Sequence, residues 1–257
     1  MDMKTPSYVA AEPEPRTPEP QAPPGSRAAD GMLEELRYLL FGCAVPAVLF
    51  GFLGWYNLTR LLDQLSGDQR PHGVFDLFTG PLERALYLAF VSIPVVIYIT
   101  RPRSARRDGG FAPRTAAFVG TTMLLVFPAF FDDGPRVFTP PPALHALAGV
   151  TLVASSAFGV YGLLYLRHNF SLIPEARGLV RGGPYRIVRH PLYLAEIGLS
   201  LSLAFQGDLH TWSTLILGPF VCIQVIRSIY EERLLRSAFP EYEAYSRDTS
   251  RLVPFLH

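Results

Sequence analysis

The sequence predicts an all-α protein: a polytopic transmembrane helical bundle of about six spans with a cytoplasmic C-terminal helical lid. Three observations carry this. Nearly half of the 257 residues are hydrophobic, and they are clumped into windows of the roughly 20 residues that a helix needs to cross a hydrocarbon core. The Lys and Arg residues crowd the intervals between alternate windows, as expected for loops on one membrane face. The chain past the last window keeps a helical recurrence of apolar residues, at Leu235, Ala238, Tyr242 and Tyr245, interrupted near Pro240. A tail of that kind folds back on the domain.

In chain order, residues 1–30 are rich in Pro, Glu and Ala and lack apolar periodicity. Such a segment buries too little surface to offset its ordering entropy, so it reads as a disordered tail. Its start lacks the basic and apolar regions of a signal peptide. Residues 31–166 form a four-helix transmembrane scaffold, with spans at Leu36 to Leu58, Leu82 to Thr100, Thr115 to Phe131 and Ala143 to Leu166. Residues 167–257 contain a polar loop, two shorter spans at Pro191 to Phe205 and Trp212 to Ile229, and the lid. A short polar turn separates these two spans, so they read as a helical hairpin. The first is short enough to need shielding by its neighbours, because backbone polar groups in lipid must be satisfied internally.

With six spans, one face carries 19 of the 23 Lys and Arg residues and the other only Arg60, Arg70, Arg84 and Arg136. The positive-inside rule then places both termini and the arginine-rich loops in the cytoplasm. The net charge of +1 gives no reason to expect nucleic acid. No cluster of metal ligands is visible, and Cys43 and Cys222 both fall inside apolar windows, where a small buried hydrophobe is the ordinary role.

The unusual polar content flanks the hairpin. Before it stands Val180-Arg181-Gly182-Gly183-Pro184-Tyr185, then Arg189-His190-Pro191-Leu192-Tyr193 and Glu196. Gly182, Gly183 and Pro184 enforce a turn that lets a ligand approach the backbone. Pro191 suits the first helical position, where its missing N–H costs nothing. His190, Tyr193 and Glu196 follow at i+3 spacing and can face one polar cavity. After the hairpin come Glu231-Glu232, Phe239, Tyr242, Tyr245, Arg251 and Pro254. A pair of acids continuing directly from an apolar helix requires a partner at the interface.

These spaced elements together resemble the isoprenylcysteine carboxyl methyltransferase and phospholipid methyltransferase superfamily of integral membrane enzymes, over roughly Leu166 to Phe255. The resemblance implies an S-adenosyl-L-methionine pocket at the cytoplasmic end, with Val180, Gly183, Pro184, Tyr185, His190, Pro191, Tyr193, Glu196, Glu231 and Glu232 around the cofactor. Because Glu232 and Arg251 stand on a tail that can fold over the Gly183 to Tyr193 loop, placing opposite charges on a common lid, they are the expected catalytic residues, Glu232 holding the cofactor and Arg251 orienting the acceptor. The expected acceptor is a lipid-associated or prenylated molecule among membrane lipids, with O, N or S as the methylated atom; the oligomeric state is left open. Two other classes stay open: a membrane sterol-type reductase using a nicotinamide cofactor, which has an Arg-His-Pro-like segment in a similar architecture, and a non-catalytic membrane subunit.

Overall fold

The computed structural model describes residues 32, 36, 43–66, 81–100, 106–107, 111–126, 135–171, 175–176, 178–206 and 209–254. The N-terminal 30 residues, expected to be disordered, lie outside that set, as do the loop at 67–80 and parts of the first and third expected spans.

The described chain is mostly helical. Helix α1 spans Val45–Ser66, α2 Glu83–Thr100, α3 Phe111–Val126 and α4 Pro142–Leu166. After the polar loop come α5 at Pro191–Gln206, α6 at Thr211–Ala238 and the short α7 at Tyr242–Asp248. Two helical stretches, Pro142–Leu166 and Thr214–Ala238, are long and apolar enough to cross a membrane by length and composition; Arg84–Thr100 and Pro191–Phe205 are shorter apolar helices. The hairpin expected from the sequence is present, but its second arm does not stop at Ile229. It continues unbroken to Ala238, carrying Glu231 and Glu232 on the helix itself.

Helix α4 begins where the Pro-rich run ends. Pro142 occupies the first turn, and the carbonyl of Pro141 accepts from the backbone N–H of Leu144 at 2.9 Å and of His145 at 3.0 Å. The helix ends at Arg167, which takes a positive φ of 48° and leads into a single 3₁₀ turn at Arg167–Asn169. The helix packs closely against α2 and α5 because its facing residues are small. A Cβ on Gly159 would sit 2.8 Å from Phe90 Cε2, and one on Gly162 would sit 2.9 Å from Leu192 Cδ2. Between membrane helices, where lipid is as apolar as leucine, such close approach is a main source of association. The buried cluster of Phe50, Phe90, Val91, Tyr98 and Leu163 ties α1, α2 and α4 together, and Phe170 from the following loop meets Tyr98 edge-on at 5.9 Å.

Two small antiparallel strand pairs join loops at opposite ends of the bundle. Strand β1 (Arg106–Arg107), between α2 and α3, pairs with β3 (Glu175–Ala176), which follows α4. Strand β2 (Arg136–Phe138), between α3 and α4, pairs with β4 (Leu209–His210), the turn of the α5–α6 hairpin. The fold is therefore helical with two strand clips.

The close α2–α4 approach makes Gly159 the sensitive point. Gly159→Leu should drive a branched side chain into Phe90 and destabilise the bundle by roughly 1–3 kcal/mol through overpacking. The check is the thermal transition of the detergent-solubilised protein; an unchanged transition would mean that the helices do not meet as closely as described.

Candidate active site

The polar loop before α5 builds one side of the site. Gly183 has a positive φ of 59° and opens a 3₁₀ turn, Gly183–Arg186, that buries Pro184 and Tyr185. No side chain fits there: a Cβ on Gly183 would lie 2.7 Å from the Tyr165 ring. The turn is fixed from outside by the C-terminal segment, because the Tyr245 hydroxyl donates to the Tyr185 carbonyl at 2.6 Å. Val188 bridges Ser250 in parallel. The backbone N–H of Arg189 donates to Ser250 O at 2.8 Å and that of His190 to Arg251 O at 3.1 Å. The tail thus folds back onto the loop, as its periodicity suggested.

Beneath this junction sits Glu232, fully buried and surrounded by cations. Arg189 Nε donates to its Oε1 at 2.9 Å, Arg251 donates through Nε at 3.1 Å and Nη2 at 2.9 Å, and Arg236 Nη2 donates at 3.2 Å. His190 Nε2 stands 3.3 Å from Oε1. A buried carboxylate needs this density of donors to offset lost hydration. Arg189 also donates through Nη1 to the carbonyls of Ser246, at 2.7 Å, and Thr249. One guanidinium therefore links the loop, helix α6 and the tail.

His190 is the hinge between this cluster and a cavity. Its Nδ1 lies 3.6 Å from Glu231 and its ring stacks on Tyr193 at 5.5 Å, 23° from parallel. Burial alone disfavours the imidazolium, but hydrogen bonding and attraction from Glu231 and Glu232 outweigh it and raise the His190 pKa. Burial, aided by the nearby Glu231 charge, pushes the Tyr185 hydroxyl well up, so it stays protonated.

The cavity is lined by two kinds of side chain. Its apolar wall comes from Phe50 and Leu53 of α1, Tyr87, Phe90 and Val91 of α2, and Leu163 of α4. Its polar lining comes from Tyr185, His190, Tyr193, Glu196, Arg227 and Glu231. Tyr193 hydrogen-bonds Glu231, and the Arg227 guanidinium carbon lies over the Tyr193 ring, 4.8 Å from its centroid. Glu196 accepts from Gln224 Nε2 at 2.5 Å.

Of the expected cofactor residues, Tyr185, His190, Pro191, Tyr193, Glu196 and Glu231 line this cavity; Val180, Gly183, Pro184 and Glu232 do not. Neither does Arg251. Glu232, expected to hold the cofactor, and Arg251, expected to orient the acceptor, pair directly through two contacts, and neither lines the cavity. The reason is the continuous α6 helix, which directs consecutive acids about 100° apart, so Glu231 faces the cavity and Glu232 the tail. Sequence reasoning passed over Arg189, Gln224 and Arg227 as site residues. A polar pair one turn apart within an apolar span was the available signal for the last two.

Removing the buried charge should be costly. Glu232→Gln leaves three guanidinium groups short of a partner, for a loss on the order of 3 kcal/mol, near the lower end for a broken buried pair because Arg236 and Arg251 stay partly in water. His190 adds a pH dependence. Since its folded pKa is raised, its stabilisation is complete below the ordinary value of about 6.5 and is lost as pH rises through the folded one. Melting curves of wild type should fall across that window, whereas His190→Gln should be less stable below it and flatter through it. A His190→Gln profile parallel to wild type would refute the imidazolium link.

The family model for phospholipid methyltransferase matches residues 143–242, from the start of α4 into α7. The chain is also 36% identical over 80 residues to the cobalt-zinc-cadmium resistance protein CzcN of Cupriavidus metallidurans. It is 35% identical over 80 residues to the nickel-cobalt-cadmium resistance protein NccN of Alcaligenes xylosoxydans xylosoxydans. Each match covers 30% of this chain, and 36% and 37% of the respective relative, so the chain spans about a third of the curated relatives it matches. Among the described residues no three His, Cys, Asp or Glu side chains converge as metal ligands.

Proposed function

We propose, from the phospholipid methyltransferase domain that residues 143–242 form, that this chain is an integral membrane methyltransferase using S-adenosyl-L-methionine on a lipid-associated acceptor. The observation that carries the reading is the cavity lined by both apolar and charged side chains, set against the matched segment. An amphiphile and a polar cofactor can meet there.

The donor set fits the cofactor. Glu231, whose side chain is 34% exposed, offers a carboxylate to ribose hydroxyls or an ammonium group, His190 orients that carboxylate through Nδ1, and the Tyr185 and Tyr193 rings can cover an adenine or a cationic centre. Glu196 and Pro191 complete the wall. When bound, the cofactor supplies an electrophilic methyl group. The chain's own contribution is then orientation of the acceptor and exclusion of water. In this reading Gly183 and Pro184 shape the turn, Val180 leads into it, and Glu232 with Arg251 acts from behind by locking the tail over the loop. The tail serves as a lid, and the arginine-rich loops lie with it on the cytoplasmic face of a six-span bundle.

Two measurements test the proposal. Purified protein should bind S-adenosyl-L-methionine or its demethylated product in titration calorimetry, and Glu231→Gln should weaken binding by about 1–3 kcal/mol if one charge-assisted hydrogen bond is lost. Binding of a nicotinamide dinucleotide in place of S-adenosyl-L-methionine would replace methyl transfer with the reductase reading. For topology, cysteines introduced at Ser104 and Arg247 should both resist an impermeant thiol reagent applied to intact cells. Labelling of either from outside would rule out the six-span arrangement.

A further inference from the structure

Arg227 is a cation inside a helix long and apolar enough to span a membrane, and its residue is only 5% exposed. A charge in that position is expensive unless it is used or fully paired. It is not fully paired. Its hydrogen bonds to Gln224 Oε1, at 2.8 Å, and to Glu196 Oε2, at 3.4 Å, both run through Nη1. The second distance is long for a charge-assisted bond, which is ordinarily below 3 Å, and Glu196 already takes a far shorter bond from Gln224. Meanwhile Arg227 Nε is buried with no hydrogen-bond partner among the described residues. A guanidinium presents donors in a rigid fork suited to a carboxylate or phosphate, and here that fork is only partly engaged.

The neighbourhood makes room for the group. A Cβ on Gly120 of α3 would lie 2.8 Å from Arg227 Cδ and 3.2 Å from Nη1. The adjacent Thr121 lines the same cavity as Arg227.

We infer that Arg227 is a specificity-determining residue that binds an oxyanion, carboxylate or phosphate, on an amphiphile whose apolar chain lies along Phe50 and Phe90. The inference deepens the methyltransferase reading by assigning the acceptor's charge, and it can be tested without turnover. Radiolabelled palmitate, hexadecyl phosphate and hexadecanol share one apolar chain and differ in the polar end. The full-length protein in detergent should bind at least one of the two acids about tenfold or more tighter than the alcohol, the scale of one charge-assisted contact. Arg227→Gln should bind all three alike, and Gly120→Ala, which keeps the charge but displaces the guanidinium, should lower the preference in the same direction. A stronger response to palmitate assigns a carboxylate ligand, and to hexadecyl phosphate a phospholipid-like headgroup. Equal binding of all three by wild type overturns the inference, as does an acid preference that survives in folded Arg227→Gln or, should that variant not fold, in Gly120→Ala. Titration of S-adenosyl-L-methionine in the same preparation reports separately on the methyltransferase reading.

Discussion

One buried carboxylate organises this molecule. Glu232 has no contact with solvent, yet it accepts from Arg189, Arg236 and Arg251 and adjoins His190. These side chains come from three stretches: Arg189 and His190 from the loop before α5, Arg236 from the last turn of α6, and Arg251 from the segment after α7. Without the carboxylate, three guanidinium groups would repel one another at close range in a poorly hydrated place. With it, the loop and the tail are fixed, and so is the turn that presents Tyr185 and His190 to the cavity. The cavity lining is therefore held, through Arg189 and His190, by a carboxylate that lies outside it.

Helix continuity gives the two neighbouring acids different work. Because α6 does not break at the end of its apolar stretch, Glu231 and Glu232 diverge around the axis. Glu231 reaches His190 and Tyr193 in the cavity, while Glu232 reaches the arginines. His190 lies between them and passes the constraint from one to the other, which is why its protonation matters to folding as well as to the site.

The sequence made the local devices legible. Gly183 and Pro184 announced a turn, Pro191 a helix start, and the i+3 spacing of His190, Tyr193 and Glu196 a shared face; all are present in the structure. What it left obscure depended on distance along the chain. That Arg189 meets Glu232, 43 residues away, and the carbonyls of Ser246 and Thr249 cannot be read from spacing, because many arginines in this chain had equal claim on a buried acid. Arg227 was counted with the positive charges of one face although it falls within the expected span Trp212 to Ile229, and the structure puts it inside α6, bonded to Gln224. The expected span ends at Ile229 because hydropathy falls at Tyr230, whereas the helix itself runs on to Ala238, up to the break expected near Pro240.

The two walls of the cavity derive from separate parts of the chain. Its apolar side is furnished mainly by α1 and α2, and its charged side by the stretch from Tyr185 to Glu231. Substitutions at Phe50, Leu53 or Phe90 can reshape the apolar lining without altering a single partner of Glu232. The size and shape of the apolar part can therefore change while the charged part keeps its geometry.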